Sequence, residues 1–118
     1  MIKSIALLTR KDGMSREEFL RHWVDDHAPM ALSVPGLKRY VLSLIVGEPS
    51  RSDIPDQQVT ADGIAELWYD DMASMQRAIE SPEMQTLRAH GAIFIGQIKM
   101  FLTEEKVIIA GEPQKASA

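Results

Sequence analysis

With 118 residues, 45% of them hydrophobic and 25% charged, the chain has the size of one domain. Its composition is that of an ordinary globular protein, not of a disordered, collagen-like or coiled-coil chain. Thirteen Lys and Arg against 17 Asp and Glu leave a formal net charge of -4, so no global positive field recruits phosphate backbones or anionic lipid, and neither nucleic acid nor a membrane is expected as a partner.

The absence of cysteine removes disulfides, Cys-ligated zinc, iron–sulfur clusters and thiol nucleophiles together, and suits a reducing compartment. Apolar stretches fall short of the roughly 18 residues of a membrane span. Met1 leads straight into Ile2-Lys3-Ser4-Ile5 without the basic and apolar regions of a signal peptide, which reads as a cytoplasmic protein.

From Met1 to Thr9 the chain alternates Ile2, Ser4, Ala6 and Leu8 with Lys3, Ile5, Leu7 and Thr9, then meets the turn cluster Arg10-Lys11-Asp12-Gly13; this is a largely buried strand. Ser15 with Glu18 makes a capping box, and Met14 with Phe19 a hydrophobic staple, so a helix starts at Ser15 or Arg16. It is expected to run to about Ser33, ahead of Pro35-Gly36, with Pro29 kinking or breaking it near His27. Leu37 to Val46, rich in Tyr, Val, Leu and Ile, is a second strand. Pro49 to Asp62 is polar and aperiodic, long enough to be a lid.

Gly63 to Tyr69 is a third strand, with Ile64, Glu66 and Trp68 on one face and Ala65, Leu67 and Tyr69 on the other. Asp70 or Asp71 caps a helix that turns Met72, Met75 and Ile79 inward, and Ser81-Pro82-Glu83 restarts it. The second segment, with Met84 and Leu87, is expected to stop at Gly91, and Ile95 to Ile109 to hold one or two last strands. The domain spans 1–109, and the polar residues 110–118 are expected to fray.

The order β-α-β-β-α-β gives a ferredoxin-like α+β fold, with two helices on one face of a four-stranded antiparallel sheet. The other face would still carry Trp68 or Tyr69 and Phe101 or Met100. Packing two sheets face to face into a barrel of two chains would cover it, so a homodimer is expected.

His27 is the leading candidate for chemistry. On a wheel of about 100° per residue it lies near the centre of an arc holding Phe19, Leu20, Trp23, Val24, Met30 and Ala31, and so points at the sheet. His22 falls away from that arc toward solvent, so the two histidines do not share the face that two metal ligands on one helix require, and no metal is expected. A neutral imidazole in a cavity opened by Pro29 serves as acid, base or anchor near neutral pH; the plainer reading is a core histidine bonded to a carbonyl or a tyrosine.

Tyr40 shares a strand face with Lys38, Leu42, Leu44 and Val46, toward the helices, where it either holds a substrate oxygen or is simply a buried ring. Glu66, acidic among apolar neighbours, is a proton-transfer candidate or a salt-bridge partner of Lys99 or Arg39. His90, just before Gly91, has a place at a helix C-terminus. Met72, Met75 and Met84 are core filler. Neither Gly-x-Gly-x-x-Gly nor a phosphate loop occurs, so no cofactor is expected.

The run from Ser15 through His22-Trp23 and His27-Ala28-Pro29-Met30-Ala31, followed by Pro35-Gly36-Leu37-Lys38-Arg39-Tyr40, resembles the EthD family. Similarity continues through Ala65-Glu66-Leu67-Trp68-Tyr69, Ser81-Pro82-Glu83 and Phe101 to Glu105, and so covers roughly residues 1 to 109. The resemblance implies a dimeric α+β barrel. Glu66-Leu67-Trp68, His90-Gly91 and Phe94 to Lys99 are similar to the methylmuconolactone methylisomerase group, cofactor-free enzymes of aromatic catabolism. In that group His27 and Tyr40 match pocket positions, whereas a cysteine stands at the place of Leu67 and a histidine at that of Asp53, so the resemblance carries over a pocket and not the same reaction.

The resulting expectation is a cofactor-independent enzyme of isomerase or lyase type, acting on a small apolar catabolic intermediate such as a lactone or oxidised aromatic. His27 and Tyr40 would be catalytic, and Trp23, Leu67, Phe94, Glu66 and His90 would bind substrate. The alternative is a non-catalytic carrier that uses the same pocket.

Overall fold

A computed structural model describes residues 1–111. Strand β1 (Ile2–Arg10) buries every second residue, Ile2, Ser4, Ala6 and Leu8, because strand side chains alternate between faces. It pairs antiparallel with β3 (Gly63–Tyr69) on one side and β4 (Ile95–Glu104) on the other, and β2 (Arg39–Leu44) joins the far edge of β3, giving the order β2-β3-β1-β4. The register opposes Ser4 to both Leu67 and Leu102, and Tyr40 to Leu67, so these four side chains share one face. This is the ferredoxin-like arrangement read from the sequence.

The segment after β1 is helical in three windings. Helix α1 (Arg16–Leu20) starts where expected, with the Ser15 hydroxyl accepting the Glu18 N–H at 3.1 Å. The chain then widens into a π-helical stretch, Arg21–His27, whose last bond runs from the Ala28 N–H back to the Trp23 carbonyl, and tightens into a 3₁₀ segment, Ala28–Ser33, with Pro29 in its first turn. The change of winding falls at His27, where Pro29 was expected to break the helix. Gly36, with φ +80°, then reverses the chain in a conformation that a Cβ would strain.

Helices α2 (Met72–Glu80) and α3 (Pro82–Phe94) complete the layer. Asp71 caps α2 through the Ser74 N–H at 2.7 Å. Ser81 joins the two helices: its buried hydroxyl donates to the Ala78 carbonyl at 2.6 Å and accepts the Met84 N–H at 3.2 Å. Phe19, Trp23 and Phe94 are at most 1% exposed, with ring centroids 5.4 and 5.7 Å from Phe19. Each such side chain contributes roughly 1.5–3 kcal/mol by leaving water.

Several boundaries differ from the sequence reading. Helix α3 does not stop at Gly91 but continues to Phe94, because Gly91 faces the His27 ring instead of terminating the helix. β2 is shorter than Leu37–Val46, and β4 is one continuous strand, with an irregularity opposite Thr9/Arg10. Met72, expected inward, is half exposed, while Met75 and Met84 are buried. The expected frayed tail falls, from residue 112 on, outside the described residues.

The second sheet face carries no helix. The strand pairing places Lys3, Ile5, Leu7, Ile64, Glu66, Trp68 and Phe101 there, so Trp68 and Phe101 are the aromatic residues of this face, not Tyr69 and Met100. The Trp68 ring lies under Lys3 at 4.9 Å and Arg39 at 5.1 Å, and its indole N–H donates to Glu105. No helix among the described residues is long and apolar enough to cross a membrane.

Candidate active site

Between the helical layer and the sheet lies a cavity of about 430 Å³, mostly apolar and open between α3 and β4. Trp23, His27, Tyr40 and Leu67 all line it, as the sequence reading requires, together with Ser4, Arg88 and Gly91. Its volume falls within the range of small-molecule sites, roughly 300–1,000 Å³.

His27 is 8% exposed and sits at the end of the π-helical stretch. Its Nδ1 lies 2.9 Å from Nδ1 of His90, one ring donating and the other accepting. The two rings are nearly parallel, with centroids 5.2 Å apart. A Cβ built on Gly91 would meet Cε1 of His27 at 3.4 Å and Nε2 at 4.0 Å, so the free nitrogen of His27 lies against the α3 wall of the cavity. Burial, and secondarily the charge of His90, lower the His27 pKa from 6.5 to about 4, so the imidazole is neutral at pH 7. Tyr40 is pushed the other way, from 10.0 to about 12, by burial that the neighbouring Trp23 indole only partly offsets. It therefore remains a hydroxyl donor at neutral pH.

Three of the expected substrate contacts take other places. Phe94 does not line the cavity; it is fully buried behind it, with its ring centroid 5.1 Å from His27 and 5.8 Å from His90. His90 is not at a helix end. It holds His27 from within α3 and does not itself line the cavity. Glu66 is on the opposite sheet face, paired with Lys3 at 2.8 Å and with neither Lys99 nor Arg39, so it is removed from the cavity altogether. The Glu66 hydrogen bond is the main cause of the raised Lys3 pKa. The segment Pro49–Asp62 does not cover the cavity as a lid. None of its residues lines the cavity, and Thr60 and Asp62 anchor it to Thr9 and Arg10.

His22 does not point to solvent as expected. The i→i+5 bonding of a π turn brings residues five apart toward one side. His22 consequently stacks on Phe94 at 5.9 Å, the same ring that supports His27. The residues that bury from this segment, Phe19, Trp23, His27 and Ala31, recur strictly every four positions, whereas Val24 is exposed. Of these, Trp23 and His27 lie in the π-helical stretch itself, Phe19 in α1 and Ala31 in the 3₁₀ segment. Among the described residues, no three His, Cys, Asp or Glu side chains converge as metal ligands.

Residues 11–97 match the model of the EthD domain. The chain belongs to the EthD family. It is 36% identical over 108 residues to the 4-carboxymethyl-4-methylbutenolide mutase of Pseudomonas reinekei, an alignment covering 91% of this chain and all of the relative. The crystal structure of an EthD family protein from Bacillus halodurans superposes with a TM-score of 0.74 at 27% identity, covering 90% of this chain and 99% of that one. A dimeric ferredoxin-like protein from Thermobifida fusca superposes with a TM-score of 0.65 at 15% identity, covering 86% and 88% of the two chains, and attests the fold.

Proposed function

We propose that this EthD chain is a cofactor-independent acid–base enzyme of isomerase or lyase type, acting on a small, largely apolar catabolic intermediate such as a lactone or oxidised aromatic. The observation that carries the reading is the buried His27 imidazole, neutral at pH 7, tied through Nδ1 to His90 at the wall of an apolar cavity that Tyr40 also lines. The 36% identical relative, a mutase by name, supports isomerase chemistry over the same stretch of chain.

When the His27 Nδ1–H donates to His90, Nε2 is a lone pair facing the wall of the cavity. It accepts a proton from a carbon next to a substrate carbonyl, and Tyr40 donates a hydrogen bond to the oxygen on which negative charge develops. Return of the proton to a different atom completes an isomerisation, whereas loss of a leaving group from the neighbouring carbon completes an elimination. While the proton is held, the positive charge can pass along the Nδ1···Nδ1 bond to His90, which is only half-buried and better solvated than His27. His90 is thus a positioning and proton-storing partner.

The test is His27→Gln, assayed on lactones including 4-carboxymethyl-4-methylbutenolide. Turnover is expected to fall at least a hundredfold, since general acid–base groups typically contribute about 10²–10⁴, with ligand binding retained. Unchanged turnover refutes the assignment. A second reading, a non-catalytic carrier accessory to a degradation pathway, is favoured by Leu67, which brings no ionisable group to the place where the methylisomerase group has a cysteine. Binding without turnover by the wild type would establish it.

The chain is also proposed to work as a homodimer joined through the uncovered sheet face, as the dimeric neighbour of the same fold suggests. Phe101, 48% exposed, lies on that face beside Ile5 and Leu7. Sedimentation of the protein at micromolar concentration as a monomer would refute this.

A further inference from the structure

Ser4 lies mid-strand on the cavity floor, 5% exposed, and its hydroxyl oxygen has no hydrogen-bond partner. Its cross-strand partners Leu67 and Leu102 and its neighbours Ala6 and Ala65 on that face are apolar, and the phenol of Tyr69, on the same face, makes no hydrogen bond to it. A buried hydroxyl without a partner is unfavourable, so serine among alanines and leucines calls for a polar group arriving from the cavity itself.

Arg88 supplies the second observation. It is the one Lys or Arg among the described residues that line the cavity, it is exposed, and no described carboxylate lies within 4.0 Å of it. It stands three residues before Gly91 on α3, about 4.5 Å along the axis from the contact with His27. Its charge also acts on the buried Tyr69 phenol, whose raised pKa it partly offsets, and Tyr69 lines the same cavity next to the Ser4–Leu67 pair. Besides the Trp23 indole, Tyr69 and Gln97, the polar side chains of the cavity are His27 with Tyr40 and Ser4 with Arg88.

We propose that Ser4 and Arg88 form a second polar subsite of this cavity, which holds a ligand bearing a carboxylate: Arg88 pairs with the carboxylate at the mouth, and the Ser4 hydroxyl bonds a second ligand oxygen on the floor. This rests on the acid–base reading above and narrows its substrate class to small apolar carboxylic acids with a further oxygen function. A single guanidinium matches one carboxylate in charge and in its paired donors. A phosphoryl group would bring up to two negative charges against that one cation in a mostly apolar cavity.

Two acids, 4-carboxymethyl-4-methylbutenolide and 3-benzoylpropionic acid, are titrated calorimetrically beside their methyl esters. The wild type is expected to bind at least one acid ten or more times more tightly than its ester. Arg88→Met removes that preference and leaves ester affinity in place. Ser4→Ala weakens acid and ester alike, about five- to tenfold, as loss of one hydrogen bond does. Because the Ser4 hydroxyl is unpartnered without ligand, the melting temperature of free Ser4→Ala is expected to hold or rise.

A wild type that prefers neither acid, through equal affinity or no binding, overturns the subsite. So does a preference that survives Arg88→Met, or a Ser4→Ala variant that melts several degrees lower with affinities intact. Solvent deuterium exchange into the bound acid, lost in His27→Gln, reports separately on the acid–base reading. Acid preference without exchange sinks that reading and leaves the subsite; exchange without preference does the reverse.

Discussion

Burying a neutral histidine leaves a thermodynamic mark that needs no substrate to read. His27 binds its proton at about pH 4 in the folded chain and at an ordinary 6.5 when unfolded. The unfolded state therefore takes up the proton first as pH falls, so stability is lost between about pH 6.5 and 4 and levels off below. At about 1.4 kcal/mol per pH unit of that gap, the full effect is about 3 kcal/mol, and roughly 2 kcal/mol of it is already lost on going from pH 7 to pH 5.

The measurement is urea unfolding at pH 7 and pH 5, at fixed protein concentration, for the wild type and for His27→Gln, which is neutral throughout. With a slope of about 1–3 kcal/mol per molar urea, the wild-type midpoint is expected to fall about 1 M further than that of the variant. Midpoints that track each other across this range would show that the ring is freely solvated, and would remove the basis for treating it as a poised base.

Other perturbations read the packing directly. A Cβ added at Gly63 would run into the Trp23 ring, which is 1% exposed, so Gly63→Ala is expected to cost about 1–3 kcal/mol by overpacking and to lower the thermal midpoint. Phe94→Ala withdraws the ring supporting His22, His27 and His90 and is expected to cost about 3–5 kcal/mol in chemical denaturation. Ser81→Ala removes both the cap of α3 and its tie to α2, for an expected loss of about 1–2 kcal/mol by the same measurement. Gly91→Ala places a methyl 3.4 Å from Cε1 of His27; stability is expected to change by less than about 1 kcal/mol, since alanine favours the helix, while ligand affinity in calorimetry drops.

Much of this molecule is legible in its residues. The alternation in β1 and β3, the Ser15 capping box and the Ser81-Pro82 restart are local signals, and each element forms where its signal lies. His27, Tyr40, Trp23 and Leu67 were assigned to the cavity from periodicity and family resemblance together, and all four line it.

The failures have particular causes. A wheel of 3.6 residues per turn gives Val24 an inward place that π winding denies it, and separates His22 from His27 although both meet Phe94. Gly91 looks like a stop signal because glycine is costly inside a helix, but here the helix runs on through it and the His27 ring packs against its bare face. Glu66 was placed correctly relative to Ile64 and Trp68, yet which face of β3 meets the helices depends on long-range packing. Ser4 did carry a sign, as the one polar residue in the set Ile2, Ser4, Ala6, Leu8, whereas nothing near Arg88 marks it as facing a cavity.

The two tryptophans sit on opposite sides of the sheet, Trp23 in the cavity wall and Trp68 between the cations of Lys3 and Arg39. Each is therefore an optical reporter for a different event. With Trp68→Phe, the remaining emission follows guests entering the interior. With Trp23→Phe, it follows whatever docks on the uncovered sheet, so filling and assembly can be timed separately in one stopped-flow instrument.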